Sequence, residues 1–305
     1  MSATPPPLRP GSTIAIIPTA RAISPDELRE GIALAESWGL RVRSGAGVGR
    51  KDFQQAGTSA ERLADLQSAL DDPEIEAVWC ARGGYGTVHL MEGLDLTRFR
   101  ARPKWVIGFS DITVLHNRIH GEGIATLHAQ MPYAIAGKTE HCRTSLHDAL
   151  FGTAPPIAWD RPAEGPWKEG TVVAPVVGGN LSVLLSLRGT PYDLDPGGKI
   201  LFLEDLDELR YHVDRMVQNI RSGGWFTRAA GLVVGGMTDM RDKDPADPFG
   251  RDALTIIHDA LSGSAIPVAC GMPVGHIADN RALVLGRNAT LDITREGAVL
   301  RFDRA

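Results

Sequence analysis

This sequence has only three cysteines, Cys80, Cys142 and Cys270, widely separated and with no CxxC pair. An odd, scattered set argues against a disulfide framework and suits buried thiols in a reducing compartment. No apolar run reaches membrane-spanning length. The opening MSATPPPLRP lacks a basic start followed by an apolar stretch, so no signal peptide is expected and a cytoplasmic protein is. Basic clusters interleaved with aromatics are also missing, and the net charge is -5 at pH 7, which argues against a nucleic-acid partner. There is no P-loop, no HExxH and no dinucleotide fingerprint opening the chain, so none of those chemistries has support. What is present is ordinary: 43% hydrophobic and 23% charged residues over a length of 305, enough for two domains.

The first half alternates short apolar runs with amphipathic helical patterns. Thr13 to Pro18 predicts a strand; a helix begins at Pro25 and stops at Gly39; Leu40 to Arg43 predicts a second strand. Ser59 is expected to open a helix whose buried face is Leu63, Leu66 and Leu70. Ala77 to Ala81 is a buried strand followed by RGGYG from Arg82, and Trp105 begins another. Such alternation predicts a parallel sheet covered on both faces, with ligands outside the carboxyl ends of its strands. From Gly152 to Gly170 the chain is rich in Pro and Gly and reads as a linker. Beyond it the spacing predicts a short helix after Gly178-Gly179-Asn180, a strand from Lys199 to Leu203, a long helix through Leu209 and Ile220, and two closing antiparallel strands, a mixed α/β region.

Trp105-Val-Ile-Gly-Phe-Ser-Asp-Ile-Thr113 is the segment richest in chemistry. It reads as a strand, a sharp turn and a helix, with Ser110 at the bend and the following N–H groups at a helix start, where they can hold an oxyanion. Ser110 or Asp111 as a simple helix cap is the competing reading. The segment resembles the G-x-S-x-G elbow of α/β-hydrolases, but Ile112 replaces the second glycine. A nucleophilic serine needs a base and a group to orient it. His276 in a Gly- and Pro-shaped loop is the first candidate base and His128 its competitor. Glu204, after the apolar KILFL run, is the first candidate acid, with Asp205, Asp207 and Glu208 crowding the same turn. His116 and His120 stand four apart, a metal-ligand spacing without a third partner. No metal and no cofactor are expected.

The whole chain resembles the LD-carboxypeptidases of serine peptidase family S66. The resemblance is carried by AGTSAERLADLQ from Ala56, RGGYG from Arg82, GFSDIT from Gly108, GGNLS from Gly178, GTPYDLD from Gly189, ILFLEDLDE from Ile200 and GMPVGHIADN from Gly271. It implies a triad of Ser110, Glu204 and His276 and an oxyanion hole of the Gly84 and Asp111 amides. Substrate contacts are expected from Arg82, Gly83 and Tyr85. It also implies a flavodoxin-like nucleophile domain (1–136), a linker (137–170) and a C-terminal domain of swivelling β type (171–305) that completes the triad. The implied reaction is release of terminal D-alanine from murein tetrapeptide in cell-wall recycling. A related branch cleaves peptidyl-nucleotide antibiotics, and a non-catalytic ligand-binding relative is the alternative of another class. Expected partners are a small peptide substrate and a second copy of the chain. His89 and Ala129-Gln130 depart from the family pattern, and the second of these departures puts the wall of the binding cleft in question.

Overall fold

The computed structural model describes residues 2–303, so Met1 and residues 304 and 305 of the expected first and last domains lie outside the described residues. The chain divides into two compact units. One runs to Pro155 and takes back Ala278–Gly286; the other holds Pro156–Ile277 and, of the described residues, 287–303.

The first unit opens with β1 (Thr13–Ile17), α1 (Pro25–Ser37), β2 (Arg41–Ser44), α2 (Ser59–Asp71) and β3 (Ala77–Cys80). It continues with α3 (Thr97–Ala101), β4 (Trp105–Gly108), α4 (Thr113–His120), β5 (Thr126–His128) and α5 (Glu140–Leu150). Helices α1 and α2 each start on a reciprocal capping box, Ser24 with Glu27 and Thr58 with Glu61, a device worth on the order of 1 kcal/mol. The cap of α2 is thus Thr58, one residue before the expected start at Ser59. Its buried face is Arg62, Leu66, Ala69 and Leu70, spaced at four, three and one. Leu63 is only half-buried.

The second unit carries β6 (Ile157–Asp160), β7 (Trp167–Lys168), β8 (Gly170–Asn180), α6 (Leu181–Ser186), β9 (Ile200–Leu206), α7 (Arg210–Ser222), α8 (Trp225–Arg228), β10 (Gly231–Thr238), α9 (Ala253–Ala260) and β11 (Val268–Cys270). The chain then returns to the first unit for β12 (Leu283–Leu285) and finishes in the second with β13 (Asn288–Ile293) and β14 (Gly297–Phe302).

The first unit's sheet has the order β2-β1-β3-β4-β5-β12, parallel except for the antiparallel edge strand β12. A 2-1-3-4-5 order is the flavodoxin-like arrangement, and its ligand crevice lies beyond the strands' carboxyl ends. RGGYG follows β3 and Ser110 follows β4, so both stand at that edge. The second sheet is mixed, in the order β6-β14-β13-β8-β9-β10-β11-β7, with β8 to β11 parallel and the outer strands antiparallel. Its core gathers Leu201, Leu203, Val217, Trp225 and Leu232, each fully buried, under α6, α7 and α9.

Two expectations about domain limits differ from this architecture. The stretch 137–170 holds a helix and two strands, because Thr139 caps α5 by accepting from the Cys142 N–H, and Cys142, Leu146, Ala149 and Leu150 bury one helical stripe. Residues 278–286 leave the second unit because β12 pairs with β5, Leu283 facing His128 and Leu285 facing Thr126. Strand β9 also runs on through Glu204 and Asp205 to Leu206, where the apolar pattern stops at Leu203.

Candidate active site

In the first unit, β4 ends at Gly108, where a Cβ would lie 2.8 Å from Cγ1 of Ile112. The missing side chain lets Ile112 fold back over the turn. Ser110 then adopts φ +64, a left-handed conformation rarely tolerated by a residue with a Cβ. Strain of this kind costs about 1–3 kcal/mol and gathers at functional turns. The helix-cap reading fails here: the turn and α4 start without any side-chain cap hydrogen bond. The Asp111 carboxylate is turned away and accepts from the Thr87 N–H at 2.9 Å.

The RGGYG loop lies against this turn. A Cβ on Gly83 would stand 3.2 Å from Ser110 Cβ and 3.4 Å from its Oγ. Gly84 has φ +108, and a side chain there would collide with Arg21. Tyr85 is exposed and meets the edge of His89 at 5.5 Å between ring centroids. Arg82 is held in place: it donates to the Ala22 carbonyl at 3.2 Å, lies 3.6 Å from the Glu27 carboxylate, and sits 4.1 Å over the Tyr133 ring. Gln130 is buried and supports the segment after β5, donating to the Met131 and Tyr133 carbonyls while its own carbonyl accepts from Trp79 Nε1.

His116 is fully inside, with Nε2 at 2.9 Å from the Gly108 carbonyl. Burial pushes its imidazole pKa down to about 4. His128 is buried against Phe109 and His116, with ring centroids at 5.8 and 6.2 Å. No group of three metal-ligating side chains occurs among the described residues.

In the second unit, the Glu204 carboxylate is fully buried, and its Oε2 lies 2.6 Å from His276 Nδ1 and 3.3 Å from the His276 backbone nitrogen. An ionised carboxylate can only accept, so a bond of this geometry to such a carboxylate has Nδ1 as its donor. Successive residues of a strand face opposite sides, which separates the crowded acids. Asp205 points away from His276. It accepts from Asn180 Nδ2 at 2.8 Å, from the Ser182 N–H at 2.9 Å and from the Leu206 N–H at 2.9 Å. Burial, and then the neighbouring Glu204 charge, push the Asp205 carboxyl pKa up to about 7. Asp207 pairs with Arg241, and Glu208 lies 3.2 Å from His212. Of the acids at this turn, Glu204 is thus the one joined to His276.

The sequence reading did not single out Arg62 or the anchoring of Asp205. Arg62 was visible as a residue in phase with Leu66, Ala69 and Leu70, where a charged side chain at 2% exposure is anomalous.

Comparison with known proteins agrees with this arrangement of folds. Residues 14–129 match the LD-carboxypeptidase N-terminal domain and residues 173–291 the LD-carboxypeptidase C-terminal domain. The probable murein peptide carboxypeptidase of Bacillus subtilis is 33% identical over 299 residues, 96% of this chain and 92% of that one. The crystal structure of muramoyltetrapeptide carboxypeptidase from Oxalobacter formigenes superposes with a TM-score of 0.84 at 26% identity, covering 95% of this chain and 98% of that one. The wild-type apo structure of microcin C7 self-immunity protein MccF gives 0.86 at 21% identity, over 100% and 99% of the two chains, a likeness of fold. By the match of both domains and the identity to curated relatives, the chain belongs to the LD-carboxypeptidases, peptidase family S66.

Proposed function

We propose that this protein is a serine carboxypeptidase that hydrolyses the L,D-amide bond before the terminal D-alanine of murein tetrapeptide. The observation that carries the reading is the buried Glu204 carboxylate 2.6 Å from His276 Nδ1, a carboxylate placed to orient an imidazole. The strained Ser110 turn supports the nucleophile role, and the names of the relatives support the substrate class.

In this mechanism His276 Nε2 takes the Ser110 hydroxyl proton as Oγ attacks the scissile carbonyl. Glu204 holds the tautomer and stabilises the imidazolium. The developing oxyanion is held by the amides of Asp111 and Gly84, preorganised donors of the kind that dominate acyl transfer. His276 then protonates the departing amine of D-alanine, and water, activated by the same base, releases the acyl group from Ser110. Arg82, a fixed cation one residue before Gly83, anchors the substrate's terminal carboxylate, with Gly83 and Tyr85 as neighbouring contacts. The reaction belongs to the cytoplasm, a placement supported by three free, buried thiols. No helix among the described residues is long and apolar enough to cross a membrane. The working form is a homodimer, which sedimentation analysis checks.

The test is turnover of purified murein tetrapeptide beside its L-alanine epimer and a peptidyl-nucleotide, with released products weighed by mass spectrometry. Rapid release of D-alanine, with little cleavage of the L-epimer, is expected, because the wrong epimer leaves a carboxylate misplaced in a site built to pair it. Equal rates on both epimers would indicate a broader amidase. Faster cleavage of the peptidyl-nucleotide would favour the self-immunity branch, to which the fold similarity to MccF belongs.

A further inference from the structure

Arg62 lies inside the first unit at 2% exposure, and its identified hydrogen-bond partners are carbonyls of three separate loops. Nε donates to Gly57 at 3.3 Å, while Nη1 donates to Thr19 at 2.6 Å and to Gly86 at 2.8 Å. The Gly86 carbonyl belongs to the same peptide unit as the Thr87 N–H, and that N–H donates to the Asp111 carboxylate at 2.9 Å. Asp111 is also 2% exposed. One peptide plane is therefore gripped at its oxygen by a buried cation and at its nitrogen by a buried anion. Gly86 has φ +135, and a Cβ there would lie 2.5 Å from Gln55 Oε1 and 3.0 Å from Arg62 Nη1, so the close approach requires glycine.

This plane closes the RGGYG loop. At the loop's other end Gly83 rests on Ser110, and Asp111 is the residue after Ser110. Both ends of the loop are thus registered on one turn, with Gly84 between them. Hydrogen bonds to charged groups are short and about twice as strong as neutral ones, and a buried charge that loses its partner is strongly destabilising. A clamp of this kind has one well-defined position.

We propose that the Arg62 and Asp111 side chains are positioning residues that clamp the Gly86–Thr87 peptide and so hold the Gly84 N–H in register with Ser110. The proposal rests on Ser110 as nucleophile and on the Gly84 amide as an oxyanion donor. Neither side chain touches the substrate; each acts through the loop.

The experiment compares wild type with Arg62→Lys, Asp111→Ala, Asp111→Asn and Ser110→Ala, measuring kcat, KM, urea stability and the rate of Ser110 labelling by a fluorophosphonate. Loss of an oxyanion donor costs about 100- to 1000-fold in kcat, so a displaced donor is expected to cost roughly 10- to 100-fold in Arg62→Lys and Asp111→Ala. KM should stay within about threefold, since substrate binding does not use the oxyanion donors. Fluorophosphonate labelling should slow in parallel. Asp111→Asn keeps an oxygen facing Thr87 and is expected to lose less than Asp111→Ala. An Arg62→Lys, Asp111→Ala double variant, measured in the same way, should fall short of the product of the single losses, because both groups hold one peptide. Arg62→Lys that folds and turns over like wild type overturns the clamp, as does a loss confined to KM. If Asp111→Ala does not fold, Arg62→Lys and Asp111→Asn decide the matter alone. Wild-type turnover by Ser110→Ala would instead overturn the nucleophile assignment, a separate failure.

Discussion

Replacing Gly275 with alanine probes how rigidly the Glu204–His276 pair is held. Gly275 has φ +111, and its Cβ would lie 2.8 Å from Oε2, 2.9 Å from Cβ and 3.0 Å from Cγ of Glu204. Ordinary contact begins near 3.4 Å, so the shortest approach is deficient by 0.6 Å (3.4 − 2.8). Glu204 has no room to retreat, because it is fully buried in β9, which pairs with β8 on one side and β10 on the other. The loop must move instead, and it carries His276 with it, breaking the 2.6 Å geometry to Nδ1. A misplacement of about 1 Å costs on the order of 100-fold in rate, so kcat should fall roughly 10- to 100-fold. Backbone strain should lower stability by about 1–3 kcal/mol as well. Gly271→Ala is the control: φ there is +79, but the added Cβ meets only the Pro162 side chain, at 3.3 Å. That variant should lose stability and keep its turnover. The assay is D-alanine release together with single-turnover acylation and urea unfolding. If Gly275→Ala turns over within about threefold of wild type while both variants are comparably destabilised, the contact does not govern the pair.

Ser110→Ala and His276→Ala should each fold and lose about 10⁴-fold or more in kcat, because members of a catalytic unit act together; steady-state kinetics on folded protein checks this. Glu204→Gln should be milder in rate yet less stable by about 1–3 kcal/mol. Oε1 is buried and makes no hydrogen bond among the described residues, so the amide group would bury an unpaired donor there. His116 is neutral inside the fold with its pKa down to about 4, whereas the unfolded chain takes up the proton near 6.5. Between those values the unfolded state binds more protons, so this contribution is complete above about pH 6.5 and is lost as pH falls towards 4, on the order of 3 kcal/mol in all. His116→Gln should therefore flatten the urea midpoint over that window, and an unchanged slope would refute the assignment. Arg82→Gln should raise KM for tetrapeptide by about tenfold with little change in kcat, because a terminal-carboxylate contact is made equally in ground and transition states.

The sequence alone determined the elements whose apolar period is local. Alternating runs from Thr13 to Ala81 and from Trp105 marked the parallel strands, Gly39 and Pro25 bounded the first helix, and the bend at Ser110 followed from a strand that meets a glycine before a helical pattern. Those signals lie within a few residues of what they control. Family motifs then pointed to Glu204 and His276. Which acid meets the imidazole depended on the strand continuing past Leu203, since a period of two sends Glu204 and Asp205 to opposite faces only once the strand is known to extend that far. Strand β12 was illegible for a related reason: three residues carry no period of their own, and their partner β5 lies more than 150 positions earlier in the chain. Arg62 shows the same limit most plainly. Its helical phase pointed inward, but only the convergence of Thr19, Gly57 and Gly86 explains how a buried guanidinium is satisfied. Partners separated by up to 43 residues leave no trace in local spacing, and they meet only when the loops at the sheet's carboxyl edge are folded over one another.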